Sequence, residues 1–120
     1  MNDYTGMFEK VAGRSKYEMA LKADKSILAG TRNSTLGEML RKNTGSVTKR
    51  ERQLIEKLER RGQQQSDAAY NRVARLYGTI PKNFPDSVPA GMDAGFERGK
   101  QLLRNGFTVK DLKPLRAKNV

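Results

Sequence analysis

From Thr48 to Gly78 the apolar residues of this chain hold a single helical phase. At about 100° per residue, Leu54, Leu58, Ala69, Val73 and Leu76 fall on one face. The polar run GQQQSD at 62–67 interrupts the composition but not the phase. Leu58 to Ala69, Arg61 to Arg72 and Gly62 to Val73 are each 11 residues apart, close to three helical turns. Two helices joined at an arbitrary angle have no reason to stay in step. The pattern therefore predicts one helix over about 49–77, roughly 45 Å long. Thr48 with Glu51 reads as a capping box at its start, and Gly78 as its stop.

A helix of that length constrains the rest. Its apolar seam needs partners, and the flanking segments read as several shorter helices. Residues 4–12 place Tyr4, Met7, Phe8 and Val11 at helical spacing after Asp3. Residues 15–29 carry Tyr17, Ala20, Leu21, Ile27 and Leu28, with Gly30 as a C-terminal stop. TRNST at 31–35 reads as a turn. Thr35 and Glu38 then cap a short helix with Leu36, Met39 and Leu40, closed by Asn43 and Gly45. Three prolines in 79–89 exclude a helix interior and predict an extended linker, docked through Ile80, Phe84 and Val88. A last helix is expected over about 90–104, with Met92, Phe96, Leu102 and Leu103 apolar, ended by Asn105-Gly106. Thr108 then caps a new turn or starts a short strand, and a basic tail follows Pro114.

The expectation is an all-α chain divided as 1–78, a linker at 79–89, and 90–120. Hydrophobic residues make up only 36% of the chain, with 4 Phe, 4 Tyr and no Trp. So thin a core leaves room for an extended rather than a compact arrangement, and for support from a partner.

The same phase calculation separates charges. Arg50, Lys57, Arg61, Arg72 and Arg75 form a narrow stripe beside the apolar seam, while Glu56, Glu59 and Asp67 lie on a third side. Five cations on one side of a helix can track phosphates, since each neutralised phosphate releases a condensed counterion. The alternative is a solvated face laced with ion pairs such as Glu56–Arg60. A second basic region, 98–118, holds Arg98, Lys100, Arg104, Lys110, Lys113, Arg116 and Lys118 against Asp111 alone. With 24 Lys+Arg against 13 Asp+Glu, the net charge is +11. A polyanion partner is expected, and DNA is favoured over RNA. Few aromatic residues interleave the charges, so base stacking on single strands is not expected.

Gly91, Gly95 and Gly99 recur every four residues, a spacing that lets a neighbouring helix backbone approach closely. Each glycine costs about 1 kcal/mol in a helix interior, so three on one face call for an explanation. Together with Leu54, Leu58, Val73 and Leu76, they form the expected helix-packing surface.

Catalytic readings are weak. There is no Cys and no His, which removes disulfides, thiol catalysis, imidazole triads and Cys/His metal sites. GFERGK at 95–100 has three residues between its glycines where a phosphate-binding loop has four, and Gln101 stands where Ser or Thr would hold magnesium. Pro85-Asp86 with Asp111-Leu112-Lys113 matches a loose pattern of metal-dependent nucleases, but no sheet is expected to converge the carboxylates. No enzymatic activity, cofactor or metal site is expected.

Two short stretches resemble known regulators. SVTKRERQLIEKL resembles the opening of the recognition region of LuxR-type regulators, from which the chain departs at QQQSDAAY after Gly62. LLRNGFTVKDLK is similar to a helix–turn–helix corner of MerR-type regulators, without a winged reading helix before it. Each resemblance reflects capping and corner chemistry, and neither assigns functional residues.

Two functions are consistent with these features. One is a non-enzymatic nucleic-acid-binding protein that contacts backbone phosphates. The other is a small structural subunit of a larger assembly, such as a phage virion or DNA-ejection protein, which would be oligomeric. Residues 1–30 carry charges every few positions with no signal-peptide apolar run, and no stretch spans a membrane, so a cytoplasmic or virion location is expected.

Overall fold

The capping box at Thr48 forms. Glu51 N donates to Thr48 Oγ1 at 3.1 Å, and Thr48 N donates to Glu51 Oε1 at 2.9 Å. The computed structural model describes residues 16–79 and 87–120. From the cap, a helix runs unbroken over Lys49–Tyr77 and stops at Gly78, whose φ of 80° is the left-handed conformation glycine tolerates. The glutamine-rich segment lies inside it. Ile55, Leu58, Gly62, Ser66, Ala69 and Val73 form its buried face.

Three helices make up the described fold: α1 (Lys16–Asn43), α2 (Lys49–Tyr77) and α3 (Val88–Asn105). Two 3-10 turns follow at Val109–Leu112 and Ala117–Asn119, and no strand occurs among the described residues. They pack side by side within 54 × 22 × 22 Å, so the arrangement is compact rather than extended.

The largest correction concerns α1. Gly30 does not stop a helix, TRNST is not a turn, and Thr35 does not cap: one 28-residue helix passes through all of them. The reason is tertiary. A Cβ on Gly30 would lie 2.7 Å from the Gly62 carbonyl oxygen and 2.8 Å from Ser66 N. A Cβ on Gly37 would lie 2.6 Å from Glu59 N. These glycines are where α2 crosses α1 at close range, antiparallel to it. Between them Asn33 and Thr35 are buried, and Thr31 and Ser34 are half-buried. Packing therefore overrides the local preference of Gly, Thr, Asn and Ser for turns.

On its other side α1 meets α3 in parallel. Cβ atoms on Gly91 and Gly95 would each lie 2.7 Å from a threonine Cβ, of Thr31 and Thr35 respectively, and one on Gly99 would meet the Met39 sulfur. The steps on the two helices match, four residues against four. The start of α3 is also earlier than its expected position at 90. Val88 and Pro89 are already helical, with Pro in the first turn where its missing N–H costs nothing. Ser87 Oγ donates to Asp24 Oδ1 at 2.6 Å and ties this start to α1.

Two apolar clusters hold the bundle. Leu36, Leu40, Ile55, Leu58, Leu102 and Leu112 form one, with Leu54, Leu103 and Phe107 against it. Ala23, Ile27, Ala69 and Val73 form the other, with Tyr70 and Val88. The glycine- and Asn33-bearing waist lies between them. Leu21, Met92 and Phe96, read as apolar packing positions, are exposed. The expected helix at 4–12, the Tyr17 side chain, and linker residues Ile80, Phe84 and Asp86 lie outside the described residues. No helix among the described residues is long and apolar enough to cross a membrane.

Candidate nucleic-acid interface

The basic stripe of α2 and the basic C-terminal segment meet in one place. Past Gly106 the chain turns at Thr108, whose N–H donates to Asp111 Oδ2 at 2.9 Å. Leu112 then enters the first apolar cluster, beside Leu58. From there the last residues form a strap that passes α2 at Arg61, Gln64 and Gln65, and its last turn, Ala117–Asn119, packs against α1.

Three adjoining hollows mark its course. Lys57, Arg61 and Lys113 line the first, over Leu54, Leu58 and Leu112, with a volume of about 190 Å³. Arg61, Lys113 and Arg116 line the second, about 780 Å³, with Gln64, Gln65 and Leu115. Lys22, Lys25, Arg72 and Lys118 line the third, about 400 Å³, with Ser26 and Ala117. The first two share Arg61, Lys113 and Pro114, and the last two share Ala117, so the hollows form one groove. Along α2 it spans Lys57 to Arg72, roughly 22 Å at helical rise.

Among the described residues eight cations face this groove, and no Asp or Glu lines any of its three parts. All eight are exposed. Among the described residues the ion pairs lie elsewhere: Arg41–Glu59 at 2.7 Å, Lys42–Glu38 at 2.8 Å and Arg98–Asp111 at 3.0 Å. The i,i+4 pairing of Glu56 with Arg60, which would have laced α2 into a neutral face, is not among them, and Glu59 turns to α1 instead. Among the described residues no acid pairs with the groove cations. Among the described residues its walls hold no aromatic side chain, so they offer no stacking platform for unpaired bases.

Of the ten cations singled out in the sequence, Lys57, Arg61, Arg72, Lys113, Arg116 and Lys118 line the groove. Arg50, Arg75, Arg104 and Lys110 are exposed but line none of the three hollows. Of the packing residues, Leu58 and Val73 are buried, Leu54 and Leu76 are half-buried, and the three glycines face α1. Sequence reasoning missed Lys22 and Lys25, three apart on α1, because nothing local says that their helix borders α2 on that side.

It also missed Asn33, which is fully buried. Asn33 Nδ2 donates to the Leu115 carbonyl oxygen at 2.9 Å and to Gln65 Oε1 at 3.2 Å. Its Oδ1 accepts from Leu115 N at 2.8 Å and from Arg32 Nη1 at 3.0 Å. Arg32 is itself partly desolvated, and burial, helped by the positive charge of Arg98, holds its guanidinium below its ordinary value. The signal for Asn33 was present in the spacing of Gly30, Asn33 and Gly37, which share a face once the helix is read as continuous.

The carboxylates of the loose nuclease pattern divide. Asp86 lies outside the described residues, and Asp111 is bonded to Arg98 and Thr108. Among the described residues no cluster of three or more Asp or Glu has metal-holding geometry. No family model matches this chain, and no curated protein or solved structure matches it.

Proposed function

We propose that this protein binds nucleic acid without catalysing a reaction on it, through the phosphate backbone, in the groove between α2 and the C-terminal strap. The observation that carries this reading is the groove itself: eight exposed cations drawn from three chain segments, with no acid among its described lining residues. Polyanion binding accounts for an arrangement that costs self-repulsion when empty. A run of about 22 Å faces roughly six phosphates of one DNA strand at 3.4 Å spacing. Without aromatic walls the groove suits a duplex backbone, so DNA is the favoured ligand and sequence preference is weak.

The test is fluorescence anisotropy with a short random-sequence duplex. Arg61→Glu with Arg72→Glu lowers affinity at least tenfold at moderate salt. Unchanged affinity removes the groove as the binding surface.

A second reading is a structural subunit of a larger assembly, such as a phage virion or DNA-ejection protein, with the groove facing packaged DNA. Met92 and Phe96 support it: they stand one turn apart on α3, 41% and 42% exposed. Phe96→Glu then weakens self-association in sedimentation velocity and leaves duplex affinity intact.

A further inference from the structure

We infer that Asn33 is a positioning residue of the phosphate site, holding the C-terminal strap in register so that Lys113, Arg116 and Lys118 complete the groove. The inference rests on the nucleic-acid reading above and deepens it. The strap is anchored at both ends, by Leu112 in the first apolar cluster and by the Ala117–Asn119 turn packed against α1, and Asn33 holds the stretch between them. Leu112 is buried, but Lys113, Pro114, Arg116 and Lys118 are exposed and Leu115 is only half-buried. The specific hold is the Asn33 carboxamide. It gives a donor to the Leu115 carbonyl and an acceptor to the Leu115 N–H, at 2.9 and 2.8 Å. That is the two-point pairing one strand gives another, supplied here by a single side chain. Its remaining donor and acceptor capacities go to Gln65 and Arg32, so the group is fully used. Asp lacks the donors, and Ala lacks both.

Fixing Leu115 fixes the charges around it. Leu112 sits by Leu58, and Leu115 lies beside Gln65 in the groove wall. Three extended residues of strap cover about 10 Å, and seven helical residues cover about 10.5 Å, so the strap keeps pace with α2. Lys113 is thereby set opposite Arg61, and Lys118 reaches the hollow of Arg72. Asn33 touches no ligand; it acts through the strap.

A double-mutant cycle on the full chain tests this, read by affinity and salt slope for a short DNA duplex. In the wild-type background, Lys113→Gln, Arg116→Gln and Lys118→Gln together cost at least tenfold in affinity. In an Asn33→Ala background the same three changes cost threefold or less, because the cations have already left register. Hydrogen exchange at the Leu115 amide accelerates in Asn33→Ala. Leu115→Pro removes the donor to Asn33 without touching the α1–α2 contact, and reproduces the cycle if Asn33→Ala fails to fold. Equal costs in both backgrounds overturn the inference: the strap cations are then free tethered charges. A wild-type chain that shows no salt-dependent duplex binding overturns the nucleic-acid reading instead, and the accelerated exchange at Leu115 still reports on the clamp.

Discussion

Gly62→Ala places a methyl group where α2 presses on α1. The new Cβ would fall against Ser34 N, 2.6 Å from the Gly30 carbonyl oxygen and 2.9 Å from the Asn33 carbonyl carbon. All three are backbone atoms of a helix interior, and none can rotate away. Ordinary contact begins near 3.4 Å, so the helices must part by close to 1 Å. Overpacking of this kind costs about 1–3 kcal/mol, sometimes more. The helix-propensity gain of Ala over Gly returns about 1 kcal/mol. With three backbone atoms inside 3.0 Å the clash cost lies at the upper end of that range, so the expected net loss is about 2 kcal/mol, or a fall in Tm of about 6–12 °C for a chain of this size. Urea unfolding followed by circular dichroism at 222 nm, with linear extrapolation, measures it. Gly45→Ala is the control, since a Cβ there meets nothing within 4 Å. If Gly62→Ala instead raised stability by the propensity term, the crossing at the glutamine-rich segment would not exist and the central packing argument would fail.

The α1–α3 contact gives a contrast. Gly95→Ala meets the Thr35 Cβ and the Arg32 carbonyl oxygen at 2.7 and 2.8 Å and destabilises by about 1–2 kcal/mol, whereas Gly99→Ala meets only the flexible Met39 side chain and is close to neutral, both read by urea midpoint. Thr48→Ala removes the cap from α2 and costs about 1 kcal/mol in the same assay. Hydrogen bonds from the Thr48 backbone and hydroxyl hold the Glu51 carboxyl below the usual 4.5. A depressed carboxylate contributes stability that is present above that value and is lost as pH falls through the lower folded value. This contribution is therefore lost as pH falls below about 4.5, and Glu51→Gln shrinks the acid-side decline in stability; an identical pH profile in the variant would show that the cap contributes nothing to acid sensitivity.

The parts of this fold that were legible from sequence are those where local chemistry and packing agree. Thr48, Glu51 and Gly78 bound α2, and the apolar phase carries it across residues 62–67. The glycine spacing in α3 marks a close helix contact, and its partner proves to be α1. The unreadable parts are those where the two conflict. Gly30, Asn33 and Thr35 have turn preferences, yet they sit inside α1 because α2 and α3 press on those positions. Likewise, the two basic segments were visible one at a time. That they form one groove depends on long-range contacts that no local pattern encodes: Asn33 to Leu115 across 82 residues, Leu112 in the apolar cluster, and the last turn against α1. Lys22 and Lys25 join for the same reason.

A duplex held in the groove responds to the placement of charge rather than its amount, and one comparison separates the two. The slope of log affinity against log salt for a short duplex is measured for the wild type and for two variants of equal net charge. One is Arg61→Glu with Arg72→Glu, in the groove; the other is Arg50→Glu with Arg104→Glu, which line none of its hollows. Each phosphate contact contributes about 0.9 to the slope on B-form DNA. The groove pair should flatten the slope by about 2, while the outlying pair leaves it within about half a unit of wild type. Equal flattening by both pairs would contradict the groove and leave only a positively charged chain.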